Sequence, residues 1–169
     1  MTFLSKLTMA LAALALGACS NAKGWTGDNP AGTAGTPGID AGSAGDPTSP
    51  AYFQQAIGDR VLFAVDQSTL SDDAQTILRG QADWLIANAD YAATIEGHAD
   101  EQGTREYNLA LGARRANAAR EFLVSRGVAG NRLKTVSYGK ERPIEICSDE
   151  SCYARNRRAV TVLAVGLTG

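Results

Sequence analysis

The sequence predicts an α/β sandwich in which helices pack against a mixed sheet. Three observations carry that reading. Short apolar runs of strand length alternate with longer segments whose apolar residues recur at helical spacing. Those segments carry their own punctuation, Ser71-Asp72-Asp73 ahead of one and Gly127 behind another. A chain of 169 residues has room for one ordinary domain, and its hydrophobic content of 44% and charged content of 20% are those of a globular one.

Val61-Leu62-Phe63-Ala64-Val65 is a continuous apolar run, as in a buried strand. Ser71 then caps a helix whose first carboxylates, Asp72 and Asp73, sit at the positive end of the macrodipole. Ala74, Ile77, Leu78, Ala82 and Leu85 keep one face of it toward a core. Residues 91–98 read as a second strand, and 104–126 as a long helix stopped by Gly127. Two further strands are predicted over 133–138 and 159–165.

The N-terminus reads as an address. Lys6 precedes an almost purely apolar run from Leu7 to Leu16. Ten residues rising ~1.5 Å each cannot cross a hydrocarbon core ~30 Å thick, but they match the apolar part of a signal peptide. Leu16-Gly17-Ala18-Cys19 follows and resembles the lipobox of bacterial lipoproteins, in which the cysteine thiol receives a diacylglyceryl group. Ser20, where some lipoproteins carry a retention aspartate, implies export to the outer membrane with the domain facing the periplasm. With Cys19 acylated, Cys147 and Cys152 remain as a disulfide pair in an oxidising compartment, closing a loop small enough to contribute roughly 2 kcal/mol. A zinc site is the rival, but two thiols without a nearby histidine make poor tetrahedral ligation.

From Ser20 to Pro50 the composition is that of a linker, holding four of the five prolines and seven of the 18 glycines. Such a segment lacks the apolar surface to offset its ordering entropy. As a coil it averages ~30 Å end to end and stretches to about 100 Å. The organisation is therefore a signal peptide over 1–18, a lipidated cysteine and linker over 19–50, and a folded domain over 51–169.

Charge is unevenly spread: Gln54 to Asp100 holds eight acidic and two basic residues, and Glu101 to the end seven acidic and twelve basic. Nucleic-acid binding is excluded by the export signal, the net charge of -2 and the lack of aromatics among the helical arginines. The inward stripe of the second helix should run through Leu111, Arg115, Ala118, Ala119, Phe122 and Leu123, while Arg114 and Arg120 point elsewhere. A guanidinium on that stripe needs either a carboxylate, with Asp100 the nearest by topology, or a ligand, because an unpaired buried charge costs several kcal/mol. The loop carrying Asp100 follows a strand, where open α/β sheets bind their ligands. His98, the lone histidine, reads as a hydrogen-bonded structural residue rather than a general base.

Ile95-Glu96-Gly97-His98-Ala99-Asp100-Glu101-Gln102-Gly103-Thr104 and Tyr107-Asn108-Leu109-Ala110-Leu111-Gly112-Ala113-Arg114-Arg115-Ala116-Asn117-Ala118 resemble the OmpA C-terminal-like peptidoglycan-binding family. Ser137-Tyr138-Gly139-Lys140-Glu141-Arg142-Pro143 and Asn156-Arg157-Arg158-Ala159-Val160 match the version borne by its lipid-anchored members. The similarity runs from Val61 to Leu163.

The resemblance implies a two-layer sandwich with a mixed four-stranded sheet, and a binding protein with no catalysis, cofactor or metal. The ligand it implies is the meso-diaminopimelate residue of the peptidoglycan stem peptide, whose free end carries an ammonium and a carboxylate. Asp100 and Arg115 fall on the family positions for those two charges, and Asp66 on that of an aspartate closing the first strand. Gly103 and Thr104 would offer backbone groups at the helix entrance, and Asn108 and Leu111 would complete the wall. A periplasmic partner, TolB, and a part in envelope division are implied for the lipid-anchored members. A lipoprotein of this family without that partner is the alternative. A glycan-cleaving enzyme using Asp66 and Asp100 is a weaker one, since it needs a carboxyl kept protonated, which a neighbouring arginine opposes. Val65 and Ala113 depart from the usual aromatic and glutamate, which predicts adjusted packing with every ligand-binding charge retained.

Overall fold

The computed structural model describes residues 42–165. The signal segment, Cys19 and the linker up to residue 41 lie outside the described residues. Four strands, β1 (Arg60–Leu62), β2 (Tyr91–His98), β3 (Leu133–Gly139) and β4 (Arg158–Val165), form one sheet in the order β1-β4-β2-β3. β2 pairs parallel with β3, while β4 runs antiparallel to both β1 and β2, so the sheet is mixed as predicted. Helices α2 (Asp72–Ala87) and α3 (Arg105–Ser125) supply the second layer. Their apolar faces, Leu78, Ala82 and Leu85 from α2 and Ala116, Ala119 and Leu123 from α3, share one core with Val61, Ala93, Ile95 and Ala159 of the sheet.

Local chemistry sets the helix ends. The Ser71 hydroxyl accepts from the Ala74 amide at 3.2 Å, and the Thr104 hydroxyl accepts from Tyr107 at 3.2 Å. α3 closes with Gly127 in the left-handed region (φ 105°), Gly127 N donating to Val124 O at 2.9 Å and Val128 N to Leu123 O at 3.1 Å. That pair of bonds caps two of the last carbonyls of the helix, and brings Val128 into the core.

Three details differ from the sequence reading. The first strand ends at Leu62, and Phe63 makes only one further rung, donating to Arg157 O at 2.9 Å. Beyond that point the neighbouring chain belongs to α4 (Glu150–Asn156) and offers no strand edge. Second, residues placed in the linker by composition are folded onto the domain. α1 (Pro50–Tyr52) is capped by Ser49 and runs into a wider helical turn over Phe53–Gly58. Phe53 is fully buried against Trp84, ring centroids 5.0 Å apart, and the Trp84 indole donates to Pro47 O at 2.7 Å. Proline and glycine content hides this, because one aromatic anchor outweighs the flexibility of its neighbours.

Third, α3 is rotated about its axis. Asn108, Gly112 and Ala116 are buried with Leu111, Arg115, Ala119 and Leu123, while Ala118 and Phe122 are only half-buried. The cause is a close approach of α3 to β2: a Cβ on Gly97 would collide with the Gly112 carbonyl, and one on Gly112 would collide with Ser137 Oγ and, at 2.8 Å, with Gly97 O. The Ser137 hydroxyl uses that proximity to donate to Leu109 O at 2.6 Å. Gly97→Ala should therefore destabilise the domain by about 3 kcal/mol, the range of a strained insertion into a packed core. Urea unfolding of the variant beside the parent checks it, and a change below half that value would place the helix farther from the strand.

Candidate functional site

The carboxyl end of β2, the loop after it and the first turns of α3 frame a cavity of about 230 Å³. Asp66, Asp100, Gly103, Asn108 and Leu111 line it together with Val65, Gln102 and Tyr107. Thr104 is the N-cap of α3 at its edge. Arg115 is not on the wall; it is fully buried.

Each carboxylate is held by a different device. Asp66 is exposed and adopts a left-handed backbone (φ 57°), the one non-glycine residue among those described to do so. Its carboxylate accepts a hydrogen bond from the Tyr107 hydroxyl. Aspartate tolerates that conformation better than most residues, and such strained positions cluster where a ligand is handled. Asp100 is 8% exposed. It accepts from the Gln102 amide at 3.2 Å and from Arg157 Nη1 at 3.1 Å.

The loop that leads from Asp100 into α3 is pinned from outside. Asn108 Nδ2 donates to Gln102 O at 2.7 Å, and Lys140 Nζ donates to Glu101 O at 3.3 Å and Gly103 O at 2.7 Å. Gly103 has φ 87°, which favours glycine at this turn. The loop carbonyls are thereby occupied at the rim, and α3 begins here with its positive end toward the cavity mouth.

Arg115 does not form the direct bridge to Asp100 that its place on the helix allowed; Asp100 pairs with Arg157 instead. Its guanidinium donates to three backbone carbonyls: Nε to Gln67 O at 2.7 Å, Nη1 to His98 O at 2.9 Å and Nη2 to Ala64 O at 3.1 Å. It also lies 5.3 Å from the centre of the Phe63 ring. Burial lowers its pKa to about 10, with Asp100 opposing the shift, so it stays cationic at neutral pH. Arg115 thus ties the segment carrying Asp66 to the strand end that presents Asp100.

Sequence reasoning did not single out Tyr107, Gln102 or Arg157. Tyr107 was findable, one turn before Leu111 on the same helical face. Arg157 was not, because its link to Asp100 spans 57 positions. A larger cavity of about 530 Å³ lies beside β1 and the start of α2, with Leu62, Ala74, Ile77 and Ile144 among its walls. Ser71 and Asp73 also line it, and its two cations, Arg60 and Arg155, are already paired with Asp59 and Glu145.

His98 is buried, yet neither ring nitrogen has a hydrogen-bond partner among the described residues, contrary to the hydrogen-bonded role expected of it. The ring stands 5.5 Å from that of Tyr138, and Glu96 Oε2 is 3.7 Å from Nε2. Burial, reinforced by Arg158, Arg142 and Arg60, pushes its pKa down to about 4. Cys147 and Cys152 are joined by a disulfide, Cα atoms 5.9 Å apart.

The family model described as "OmpA family" matches residues 62–157. The chain is 54% identical over 154 residues to the peptidoglycan-associated lipoprotein of Mesorhizobium japonicum, covering 91% of this chain and 88% of that protein. It is 52% identical to the protein of the same name from Agrobacterium fabrum, covering 89% and 82%. Among solved structures, the peptidoglycan-associated lipoprotein of Burkholderia pseudomallei superposes with a TM-score of 0.64 at 38% identity, covering 72% of this chain and 98% of that one. The C-terminal domain of Helicobacter pylori MotB, at 20% identity and a TM-score of 0.60 over 64% of this chain and 86% of that one, is a likeness of fold alone.

Two outcomes follow from these contacts. Arg115→Ala strips donors from three carbonyls and should destabilise the domain by about 3–5 kcal/mol, read by chemical denaturation. Arg115→Lys should recover only part, since one ammonium lacks the fork that reaches all three. His98 has a folded pKa of about 4 against an ordinary 6.5, so the unfolded chain binds the proton more readily. Its contribution is complete above pH 6.5 and is lost as pH falls from there toward about 4. The loss should reach on the order of 3 kcal/mol, and His98→Gln should flatten that limb of the stability profile.

Proposed function

The chain belongs to the OmpA family, and on that premise we propose that it is a lipid-anchored envelope protein that holds peptidoglycan through meso-diaminopimelate. The observation that carries the reading is the meeting of two carboxylates, Asp66 and Asp100, with the first turn of a long helix across one cavity. A ligand bearing an ammonium and a carboxylate on one carbon matches that arrangement. Asp66 and Asp100 accept from the ammonium in charge-assisted hydrogen bonds. The carboxylate lies toward the amides of Gly103 and Thr104, where the helix dipole favours an anion. Val65 and Leu111 cover the aliphatic stem.

Arg115 acts from behind the wall. Its charge offsets the two aspartates, and its three carbonyl contacts fix the distance between the segments that carry them. Tyr107 orients Asp66, and Asn108 holds the loop that bears Gly103. Both carboxylates are thus acceptors held by donors, an arrangement for binding rather than for general acid chemistry.

The anchor is the remainder of the proposal. Acylation of Cys19 would tether the chain to the outer membrane, with the segment to residue 41 as the tether. Support comes from the relatives, each named a peptidoglycan-associated lipoprotein and matched over about nine-tenths of this chain. Partnership with TolB in the division machinery is part of the same reading. Crosslinking in growing cells followed by co-purification of TolB tests it, and a reproducible failure would favour a wall anchor without that partner.

Asp66 offers the cleanest test of the pocket because it is exposed and contributes little to the core. Asp66→Ala should weaken binding to purified sacculi by about tenfold or more, with a melting temperature within a few degrees of the parent. Free diaminopimelate should compete with the sacculi for the parent protein and release it. Undiminished binding by a folded Asp66→Ala variant would remove the ammonium site from the account.

A further inference from the structure

Arg157 is shared. Its Nη1 donates to Asp100 Oδ2 at 3.1 Å and to Glu150 Oε2 at 3.4 Å, and its Nη2 donates to Glu150 Oε1. Nε donates to Phe63 O at 3.2 Å, which fixes the guanidinium against the end of β1. One cation therefore serves two carboxylates, and the three side chains together carry a net negative charge. Were Glu150 withdrawn, Arg157 and Asp100 would form a neutral pair, and Asp100 would have less charge to offer an incoming ammonium.

Glu150 is kept in place by a structure that is too small to stand alone. It opens α4, a helix of seven residues, whereas isolated helices shorter than about 12–15 residues are marginal in water. Asp149 caps the helix by accepting from Ser151 N at 2.9 Å and Cys152 N at 3.3 Å. The Cys147–Cys152 bridge closes that first turn onto the incoming chain, with Cys152 buried beneath it. The same turn reaches the pocket rim, where Ser148 Oγ and Tyr153 Oη donate to Glu101 Oε1 at 3.1 and 3.0 Å. Glu101 is the immediate neighbour of Asp100.

We infer that Glu150, held by the Cys147–Cys152 bridge, is a positioning residue for the diaminopimelate pocket: by sharing Arg157 it leaves Asp100 negatively charged toward the ligand's ammonium. The inference rests on the reading given under Proposed function. It makes ligand affinity sensitive to the thiol state of a loop that does not touch the ligand. Reduction by a dithiol, which takes up the disulfide as its own while leaving two cysteine thiols, loosens the turn and lowers affinity.

The test is a titration of the full-length protein in detergent with meso-diaminopimelate and with its N,N′-diacetyl derivative, which lacks both ammoniums. Parent, Glu150→Gln and the double variant Cys147→Ser/Cys152→Ser are compared. Because Glu150 is 66% exposed, Glu150→Gln should keep the parent's melting temperature. Screening by water limits the expected loss of affinity for the free amino acid to about two- to fivefold. The acetylated ligand should bind all three proteins alike, a pattern that a general loosening of the fold would not give. The double variant should weaken binding by a similar factor, and adding Glu150→Gln to it should change nothing more, since both act on one contact. Parent-like affinity in Glu150→Gln, or equal losses for the two ligands, overturns the inference while leaving the pocket standing. A parent protein that binds neither ligand overturns the pocket, and the inference with it.

Discussion

The site depends on a guanidinium buried among backbone carbonyls. Arg115 reaches Ala64 and Gln67 on one side and His98 on the other. Those carbonyls belong to segments that no strand pairing unites, because β1 has ended and β2 is turning into the loop before α3. A planar donor with a fixed fork is the side chain suited to bind three acceptors at set angles. Its burial costs much in desolvation, and the carbonyls together with the charges of Asp100 and Asp66 offset part of that cost. The same residue therefore stabilises the fold and sets the spacing of the two aspartates.

The rest of the pocket repeats one physical idea, that each charge facing the cavity is steadied by a donor behind it. Tyr107 steadies Asp66, Arg157 steadies Asp100, and Lys140 and Asn108 hold the carbonyls of the loop that joins β2 to α3. Arg157 remains a firm cation: burial works to lower its pKa, and the bonds from Glu150 and Asp100 outweigh burial and raise it. Holding the carboxylates before the ligand arrives reduces the ordering that binding requires. The close packing of Gly97 on Gly112 serves the same end, since it sets the start of α3 against the end of β2.

Much of this was legible in the residues, for identifiable reasons. The sandwich was legible because strand-length runs, capped helices and helical periodicity are local signals, and Ser71, Thr104 and Gly127 mark boundaries that the structure keeps. Asp66, Asp100, Gly103, Asn108 and Leu111 could be grouped because a family resemblance stands in for distances; their convergence on one cavity is a fact of the fold. The partner of Arg115 was not legible: backbone carbonyls leave no trace in side-chain identity, so a carboxylate was the natural expectation. Nor was the folding of residues 42–50, which hangs on Pro47 and Phe53 meeting Trp84 from the far end of α2. α4 was hidden by its brevity, its stability residing in a cap and a disulfide.

On the proposed reading, an amino acid head group sits between the two aspartates and the start of α3. The most direct test is an amide-resolved NMR titration of the isotope-labelled protein with meso-diaminopimelate. Saturable shifts centred on Asp66, Asp100, Gly103 and Thr104, with little change along β1 and the first turns of α2, are the predicted result. Shifts centred instead on the aliphatic groove of Leu62, Ile77 and Ile144, or none at a ligand concentration that releases the protein from sacculi, would contradict it.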